Sequence, residues 1–262
     1  MTAAAFSFEL WLAALPVLLV AALLGWLVSL AVKNVNLVGA LWCLMLFAAG
    51  VTYALDSDPR APRLSLVLWL LALWAARLAV YLVTRNAGKG EERRYGDLRV
   101  RHEPGFAFKS LYLVFVPQAL LAWVISLPLL GAFASIQATS PLDYAGVTLW
   151  AIGFLFETFA DWQLARFRRD PANAGAVMDR GLWRFTRHPN YFGEACTWWG
   201  FWLIALAAGG WWALPGPIVL TWLMLRASRL RQENDIGNRR PQYADYVLKT
   251  NAFFPARRRK ST

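Results

Sequence analysis

The sequence has little cysteine, histidine and charge for its length. Two cysteines and two histidines in 262 residues exclude a disulfide-stabilised scaffold and leave no spacing typical of a metal site. No Ser-His-Asp constellation and no glycine-rich phosphate-binding loop is present either. Only 16% of the residues are charged, whereas 58% are hydrophobic and 15 are Trp. A soluble core of this size could not bury so much apolar surface, so we predict an integral membrane protein.

Apolar runs long enough to cross a bilayer recur along the chain. A transmembrane helix needs about 20 predominantly apolar residues. The predicted spans are Phe8–Val32, Leu37–Leu55, Leu64–Val83, Phe108–Phe133, Tyr144–Leu164 and two short spans within Ala195–Leu225. Gly209 and Gly210 divide the last run, for which one span and a re-entrant segment are the alternative. We therefore predict one all-α, membrane-embedded domain of about seven transmembrane helices over residues 1–262.

The positive charge is concentrated in three segments between the apolar runs. Residues 85–109, 166–187 and 226–262 hold seven, six and ten of the 27 Lys and Arg residues. These segments follow the third, fifth and seventh predicted spans, and Lys- and Arg-rich loops stay cytoplasmic. The pattern predicts an amino terminus outside and a cytoplasmic carboxyl terminus, with a basic tail at about 255–262 near anionic lipid. It does not favour nucleic-acid binding, and it implies no protein partner.

Three charged residues stand out deep inside predicted spans, where an unpaired charge is costly. Glu157 and Asp161 share a helix face because they are four residues apart, and they repel unless a proton or a cation lies between them. Arg77 could pair with them, and a purely structural ion pair is the alternative interpretation. Three arginines follow at the predicted cytoplasmic end: Arg166, Arg168 and Arg169. They suit a ligand with phosphates, although the positive-inside rule explains each of them as well.

Polar residue types are dense in the segment Arg180–Glu194. Four of them fall within seven residues: His188, Asn190, Tyr191 and Glu194. Pro189 favours a helix start, which places Asn190 and Glu194 on one helix face. A helix amino terminus beside Arg187 can bind an anion. We interpret the segment as a ligand-binding site, and a capped helix start in an interfacial Tyr and Trp belt is the alternative.

Two further polar clusters are open to two interpretations. Arg85 and Asn86 lead into a glycine-containing, mixed-charge loop over residues 88–95, which is either a ligand-covering loop or a solvated one. Residues 226–233 are rich in arginine, and Tyr243 and Tyr246 follow three residues apart. This last cluster is either part of a site or an amphipathic tail that lies on the membrane.

These motifs together resemble a known family. The runs Gly181-Leu-Trp and Arg187-His-Pro-Asn-Tyr-Phe-Gly-Glu194 are similar to the bacterial membrane family described as steroid 5α-reductase-like, or DUF1295. The similarity extends over most of the chain. It includes Arg77-Leu-Ala-Val-Tyr81, Arg85-Asn86, Gly90-Glu91, Arg94-Tyr95, Phe156-Glu-Thr-Phe-Ala-Asp161 and Tyr243-Ala-Asp-Tyr246. Sterol reductases and the isoprenylcysteine carboxyl methyltransferases, which bind S-adenosylmethionine, are more distant relatives.

The resemblance implies a seven-span helical fold in the bacterial inner membrane. It implies NADPH in the cytoplasmic half and a lipid-soluble substrate that enters from the bilayer. The cofactor-binding residues that it implies are Asp161, Arg168, Asn190, Tyr191, Glu194, Arg77, Tyr81, Arg85 and Arg229. Arg187 and His188 join the predicted cofactor set because they lie in the same polar segment.

The sequence departs from the 5α-reductases at the substrate end. Those enzymes polarise the enone carbonyl with a Glu on the second span and a Tyr on the third. Here the Tyr position falls on Trp74 and the Glu position falls within Asn36–Ala40, where there is no carboxylate. An indole cannot donate a proton as a phenol does, so Tyr81 and Tyr53 are the predicted proton donors.

Three hypotheses follow from the sequence. The first is an NADPH-dependent membrane reductase that transfers a hydride to an activated C=C bond of a steroid-like, isoprenoid or other lipid-soluble substrate. The second is an S-adenosylmethionine-dependent membrane methyltransferase. The third is a lipid-binding membrane protein without enzymatic activity.

Overall fold

The computed structural model describes residues 4–230 and 242–258, apart from the side chains of residues 229 and 230. All regular secondary structure in this part of the chain is helical, as predicted. The helices are α1 (Phe8–Val32), α2 (Val38–Leu55), α3 (Leu64–Asn86), α4 (Arg93–His102), α5 (Phe106–Ser110), α6 (Val116–Ile125), α7 (Leu127–Phe133), α8 (Pro141–Arg169), α9 (Pro189–Ala207), α10 (Pro215–Leu230) and α11 (Gln242–Lys249). A π-helical turn over Leu111–Phe115 joins α5 to α6.

Four helical segments among the described residues are long and apolar enough to cross a membrane. They are Phe8–Val32, Val35–Leu55, Leu64–Asn86 and Phe106–Phe133, and as candidate spans they match the first four predicted ones. The remaining predicted spans also fold as helices, but α8 carries buried acidic residues and α10 has 16 residues. The total of seven spans and the orientation of the termini therefore stay predictions.

The helix boundaries differ from the predicted spans in a consistent way. Helix α8 begins at Pro141 and α9 at Pro189, several residues before the apolar runs begin. Proline fits the first helical turn because its missing N–H needs no partner there. The break predicted at Gly209 is confirmed, because α9 ends before it and Gly209 has a φ of 87°. Both helices therefore begin at a proline and extend the apolar run at its amino-terminal end.

The chain divides into two compact units. Within the described residues the first comprises 4–142 and 204–216, and the second comprises 143–203, 217–230 and 242–258. The prediction of one domain over residues 1–262 stays a prediction.

The first unit is a bundle in which α2 packs against α1, α3 and α6. Trp11 of α1 stacks on Trp123 of α6 with their ring centroids 3.8 Å apart. Each indole N–H donates to the backbone carbonyl of the other residue, at 3.2 Å from Trp11 and 2.7 Å from Trp123. The pair therefore satisfies both polar donors while it packs two large apolar surfaces together.

The second unit is built on a close contact between α8 and α9. A Cβ atom added to Gly153 of α8 would lie 2.5 Å from the Gly193 carbonyl oxygen, and one added to Gly200 would lie 2.6 Å from the Trp150 backbone nitrogen. Small residues allow helix backbones to approach in this way, as they do in membrane helix pairs. The two backbones leave no room for side chains at these positions.

We expect Gly153→Ala to destabilise the second unit, because the new methyl group would meet backbone atoms that cannot rotate away. Such overpacking costs about 1–3 kcal/mol, and the melting temperature in detergent should fall by several degrees. Gly96→Ala is the matched control, since a Cβ at Gly96 meets nothing within 4 Å. If both variants melt like the parent protein, the close contact of α8 and α9 is wrong.

Candidate functional site

A buried polar cluster lies where α8 meets the start of α9. Asp161 is 3% exposed, and the Asn190 Nδ2 atom donates a hydrogen bond to its Oδ1 atom at 3.3 Å. Glu157 precedes Asp161 by one turn of α8, and Glu194 follows Asn190 by one turn of α9; both are buried. The structure therefore brings together Asp161 and Asn190, which were both predicted as cofactor-binding residues.

The Asn190 side chain retains an unused acceptor. Its Oδ1 atom is buried and has no hydrogen-bond partner among the described residues. A buried polar atom without a partner costs roughly 1–3 kcal/mol, so such atoms call for a ligand, a water or a functional explanation. A carboxamide, an amine or a ribose hydroxyl could supply the missing donor. The Asp161–Asn190 pair thus fits a nucleotide cofactor such as NADPH.

Arg187 is turned toward the carboxyl-terminal end of α11. Its Nη1 atom donates to the carbonyls of Val247, at 3.0 Å, and Thr250, at 2.5 Å. The Arg187 backbone N–H donates to the Asn251 carbonyl at 2.9 Å. A cation is favourable at a helix carboxyl terminus because the last carbonyls lack partners. These contacts give Arg187 an anchoring role, and its predicted role toward an anion stays a prediction.

Helix α11 and the residues that follow it brace the turn that leads into α9. The Tyr246 hydroxyl donates to the Trp183 carbonyl, and the Thr186 hydroxyl donates to the Phe253 carbonyl at 2.8 Å. Tyr246 is 5% exposed, and burial raises the pKa of its phenol well above the ordinary value of 10. The phenol therefore remains protonated as a donor. Tyr246 faces the protein interior, in contrast to the expectation of a tail lying on the membrane.

The two aromatic residues of the predicted set at the start of α9 form a stacked pair. The His188 and Tyr191 rings have centroids 5.2 Å apart and an interplanar angle of 7°. His188 is buried, and its backbone N–H donates to the Thr186 hydroxyl oxygen at 3.3 Å. That bond satisfies one of the amide donors left without a partner at a helix start.

The arginines at the end of α8 are exposed. Arg166 lines a cleft at the carboxyl-terminal end of α8, and Arg168 lies outside that cleft. The predicted cofactor residue Arg229 lies in α10, but its side chain is outside the described residues.

In the first unit, Arg77, Tyr81 and Arg85 follow each other at four-residue spacing along α3. The Arg85 guanidinium lies 5.8 Å from the Tyr81 ring centroid and pairs with Glu92 at 2.5 Å. The three predicted residues therefore share a helix face. Pairing of Arg77 with the acidic residues of α8 stays a prediction.

Tyr53, the other predicted proton donor, is fully enclosed. Its hydroxyl lies 2.8 Å from the Ser126 hydroxyl, which donates to the Trp123 carbonyl at 2.8 Å. The Tyr53 phenol therefore donates to Ser126 and joins α2 to the junction of α6 and α7. Tyr81 is half-buried, which makes it the more accessible of the two candidates.

Asn36 lies in the stretch where the sequence analysis finds no counterpart of the reductase carboxylate, and it has a structural role. Asn36 donates from Nδ2 to the Gly90 carbonyl at 3.1 Å and accepts from the Glu92 backbone N–H at 2.7 Å. Trp74, at the predicted Tyr position, is fully buried. Asn36 thus holds the loop that follows α3, and neither side chain offers an acid to a ligand.

Glu91 connects the same loop to the turn before α2 and to α4. It accepts two hydrogen bonds from Arg99, both at 2.9 Å, and one from the Val35 backbone N–H at 3.0 Å. Burial alone would raise the pKa of Glu91, but these hydrogen bonds and the Arg99 charge outweigh it and lower the pKa. The ionised carboxylate therefore stabilises the folded state.

We expect Glu91→Gln to lower the melting temperature at pH 7 by roughly 2–4 °C, the equivalent of about 1 kcal/mol. The Glu91 pKa is lowered in the folded protein, so its contribution is present above its ordinary value of 4.5 and is lost as the pH falls through the lowered value. The difference between variant and parent should consequently shrink in acid. Melting curves from pH 7 to pH 3.5 test this, and a constant difference would contradict it.

Comparison with known proteins identifies the family. Residues 25–250 match the family described as "Protein of unknown function (DUF1295)". An uncharacterized protein of Schizosaccharomyces pombe is 25% identical over 260 residues, which cover 88% of this chain and 75% of that protein. The chain matches no solved structure with significance.

Shorter alignments relate the chain to steroid enzymes. The 3-oxo-5-alpha-steroid 4-dehydrogenase 1 of Rattus norvegicus is 32% identical over 105 residues, or 38% of each chain. The Mus musculus protein of the same name is 33% identical over 104 residues, 39% of this chain and 38% of that protein. The similarity to steroid 5α-reductase is therefore distant and partial, whereas the family match covers most of the sequence. The chain belongs to the DUF1295 family, as its motifs predicted.

Proposed function

We propose that this protein is an NADPH-dependent membrane reductase that transfers a hydride to an activated C=C bond of a lipid-soluble substrate. The Asp161–Asn190 pair carries the proposal, because Asp161 is buried and the buried Oδ1 atom of Asn190 is left as an unused acceptor. The distant similarity to 3-oxo-5-alpha-steroid 4-dehydrogenase 1 supports a reductase. When bound, NADPH would supply the hydride.

The residues of the second unit would bind and orient the cofactor. Asn190 would accept a hydrogen bond from an N–H or O–H group, while Asp161 holds the Asn190 amide in place. Glu194 lies on the same face of α9 and would accept from a ribose hydroxyl. Arg168 would offer positive charge to the phosphates from the end of α8. Tyr191 would add a flat surface beside His188.

Tyr81 of the first unit is the proposed proton donor. A reduction that adds a hydride to one end of a polarised double bond needs a proton for the other end. Tyr81 is a phenol on the same helix face as Arg77. The Arg85 guanidinium carbon lies 5.8 Å from its ring centroid. The Tyr81 hydroxyl can hold that proton and deliver it as a general acid.

The substrate is a lipid-soluble alkene conjugated to a polarising group. Trp74 and Asn36 offer no acid at the positions where 5α-reductases polarise a 3-oxo group, so a 3-oxo-steroid is not required by the site. The four helices that are long and apolar enough to cross a membrane support a lipid-soluble compound. The basic segments support placement in the bacterial inner membrane with the proposed cofactor-binding residues on the cytoplasmic side.

Titration of the detergent-purified protein with NADPH, NADH and S-adenosylmethionine tests the proposal. We expect NADPH to bind, and Arg168→Glu and Asn190→Leu each to weaken it at least tenfold, a loss of about 1.4 kcal/mol. Arg184→Glu is the matched control, because Arg184 is exposed in the turn before α9 and outside the proposed site. Melting curves establish that each variant is folded.

The possible results separate the hypotheses. If the protein binds S-adenosylmethionine but not NADPH, the reductase hypothesis is contradicted and a methyltransferase is favoured. If neither cofactor binds to the parent protein, both enzymatic hypotheses are wrong and a lipid-binding role is favoured. If the parent protein, Arg168→Glu and Asn190→Leu bind NADPH with equal affinity, Arg168 and Asn190 do not contribute to cofactor binding.

A further inference from the structure

Helix α8 has an apolar stripe on its outer face. Four large side chains recur there at three- and four-residue spacing and are each 50–54% exposed: Ile152, Leu155, Phe159 and Trp162. The acidic residues of the same stretch, Glu157 and Asp161, are buried on the other side of the helix. A surface helix of a water-soluble protein shows the reverse arrangement, with its polar face outward. The outer face of α8 therefore suits contact with lipid.

The stripe has the length of one membrane leaflet. From Ile152 to Trp162 the helix rises about 15 Å. The hydrocarbon core of a bilayer is about 30 Å thick, so one leaflet contributes about 15 Å. Trp162 ends the stripe, and Trp is enriched at the interface between hydrocarbon and water. Arg166 follows one turn later, which places it at headgroup level at the predicted cytoplasmic end of α8.

A cleft of about 380 Å³ lies where the stripe ends, within the second unit. Trp162 and Phe167 of α8 line it, together with Met178 from the segment that follows α8. Two arginines also line the cleft, Arg166 from α8 and Arg180 from the same following segment. Because Trp162 belongs to both the stripe and the cleft, the apolar face of α8 leads directly to two cations.

Both guanidinium groups are available to an anion. Arg166 and Arg180 are exposed, and no ion pair among the described residues includes either of them. The Arg166 guanidinium carbon lies 5.5 Å from the Trp162 ring centroid, within the range of a cation–π contact. Asp170 also lines the cleft, but its Oδ1 atom accepts the backbone N–H of Ala172 at 2.9 Å. Two arginines and one aspartate leave the cleft with an excess of positive charge.

The segment that contributes Arg180 is held against α8 on both sides of the cleft. Gly181 has a φ of 56°, and a Cβ atom there would lie 2.6 Å from the Gln163 side-chain amide. The Gln163 Oε1 atom accepts the backbone N–H of the residue after Gly181 at 3.0 Å. Near the end of α8, the Asn173 side-chain amide donates to the Phe167 carbonyl at 3.1 Å. The two arginines are therefore brought together by the fold, although 14 residues separate them in the sequence.

We propose that this cleft binds the phosphodiester of an anionic phospholipid, whose acyl chains lie along the apolar stripe of α8. Guanidinium groups bind phosphate oxygens through charge-assisted hydrogen bonds. A soluble phosphate would use only the arginines, whereas a phospholipid also covers the stripe that leads to them. Anionic lipids of the cytoplasmic leaflet attract basic groups near the membrane surface. Lipid binding at this cleft does not depend on the proposed reductase activity.

Native mass spectrometry of the full chain in a nonionic detergent tests the lipid site. The probes are dioleoyl-phosphatidylglycerol, the zwitterionic dioleoyl-phosphatidylcholine with the same acyl chains, and the soluble headgroup glycerophosphoglycerol. We expect one phosphatidylglycerol to bind about tenfold more tightly than phosphatidylcholine, and the soluble headgroup not to compete. Arg166→Gln and Arg180→Gln should each weaken phosphatidylglycerol about fivefold, and the double variant about thirtyfold. Phe159→Ala should weaken both lipids about fivefold, because it removes apolar surface from the stripe.

The matched control is the double variant Arg101→Gln/Arg184→Gln. It removes the same charge from two exposed arginines outside the cleft, so its affinity for phosphatidylglycerol should stay within about twofold of the parent protein. Melting curves establish that each variant is folded.

Four results would overturn the lipid site. If the control weakens phosphatidylglycerol as much as Arg166→Gln/Arg180→Gln does, the lipid responds to overall charge and the cleft is not its site. Equal affinity for the two lipids contradicts selection of an anionic headgroup. Competition by glycerophosphoglycerol makes the cleft a site for soluble phosphates. If Phe159→Ala leaves both affinities unchanged, the acyl chains do not lie along the stripe.

Discussion

The close approach of α8 and α9 is the constraint on which the second unit depends. Three glycines, Gly153, Gly193 and Gly200, let the two backbones come into contact over two turns. At that separation, short polar side chains such as Asp161 and Asn190 can reach each other across the helix pair. In an apolar environment, such groups need partners within the protein. The hydrogen bond between Asp161 and Asn190 therefore depends on the close packing of α8 against α9.

Polar contacts of the first unit hold its connecting segments in place. Asn36, Glu91 and Arg99 hold the loop after α3 through backbone and ionic contacts. At the other end of α3, the fully buried Arg63 donates to the Gln137 and Ala138 carbonyls. Polar groups at both ends of α3 thus fix segments that lie outside the long apolar helices.

Much of this arrangement could be predicted because it is local. Pro189 marks the start of α9, and the acidic residues of α8 are conspicuous in an apolar run. The role of Arg187 could not be predicted, since its carbonyl partners lie some 60 residues further along the chain. Tyr53 was a candidate proton donor because phenols are suitable acids, but only the fold shows the Ser126 hydroxyl beside it.

The brace on the start of α9 also has a consequence for biosynthesis. Ribosomes make Thr186 and Arg187 long before Val247, Thr250 and Phe253, whose carbonyls receive their hydrogen bonds. Helices α1 to α10 are all synthesised while this turn still lacks those acceptors. The polar segment therefore reaches its final form only after α11 and the residues that follow it have been made. A chain halted before α11 would retain its long apolar helices but lack the contacts that hold the turn before α9.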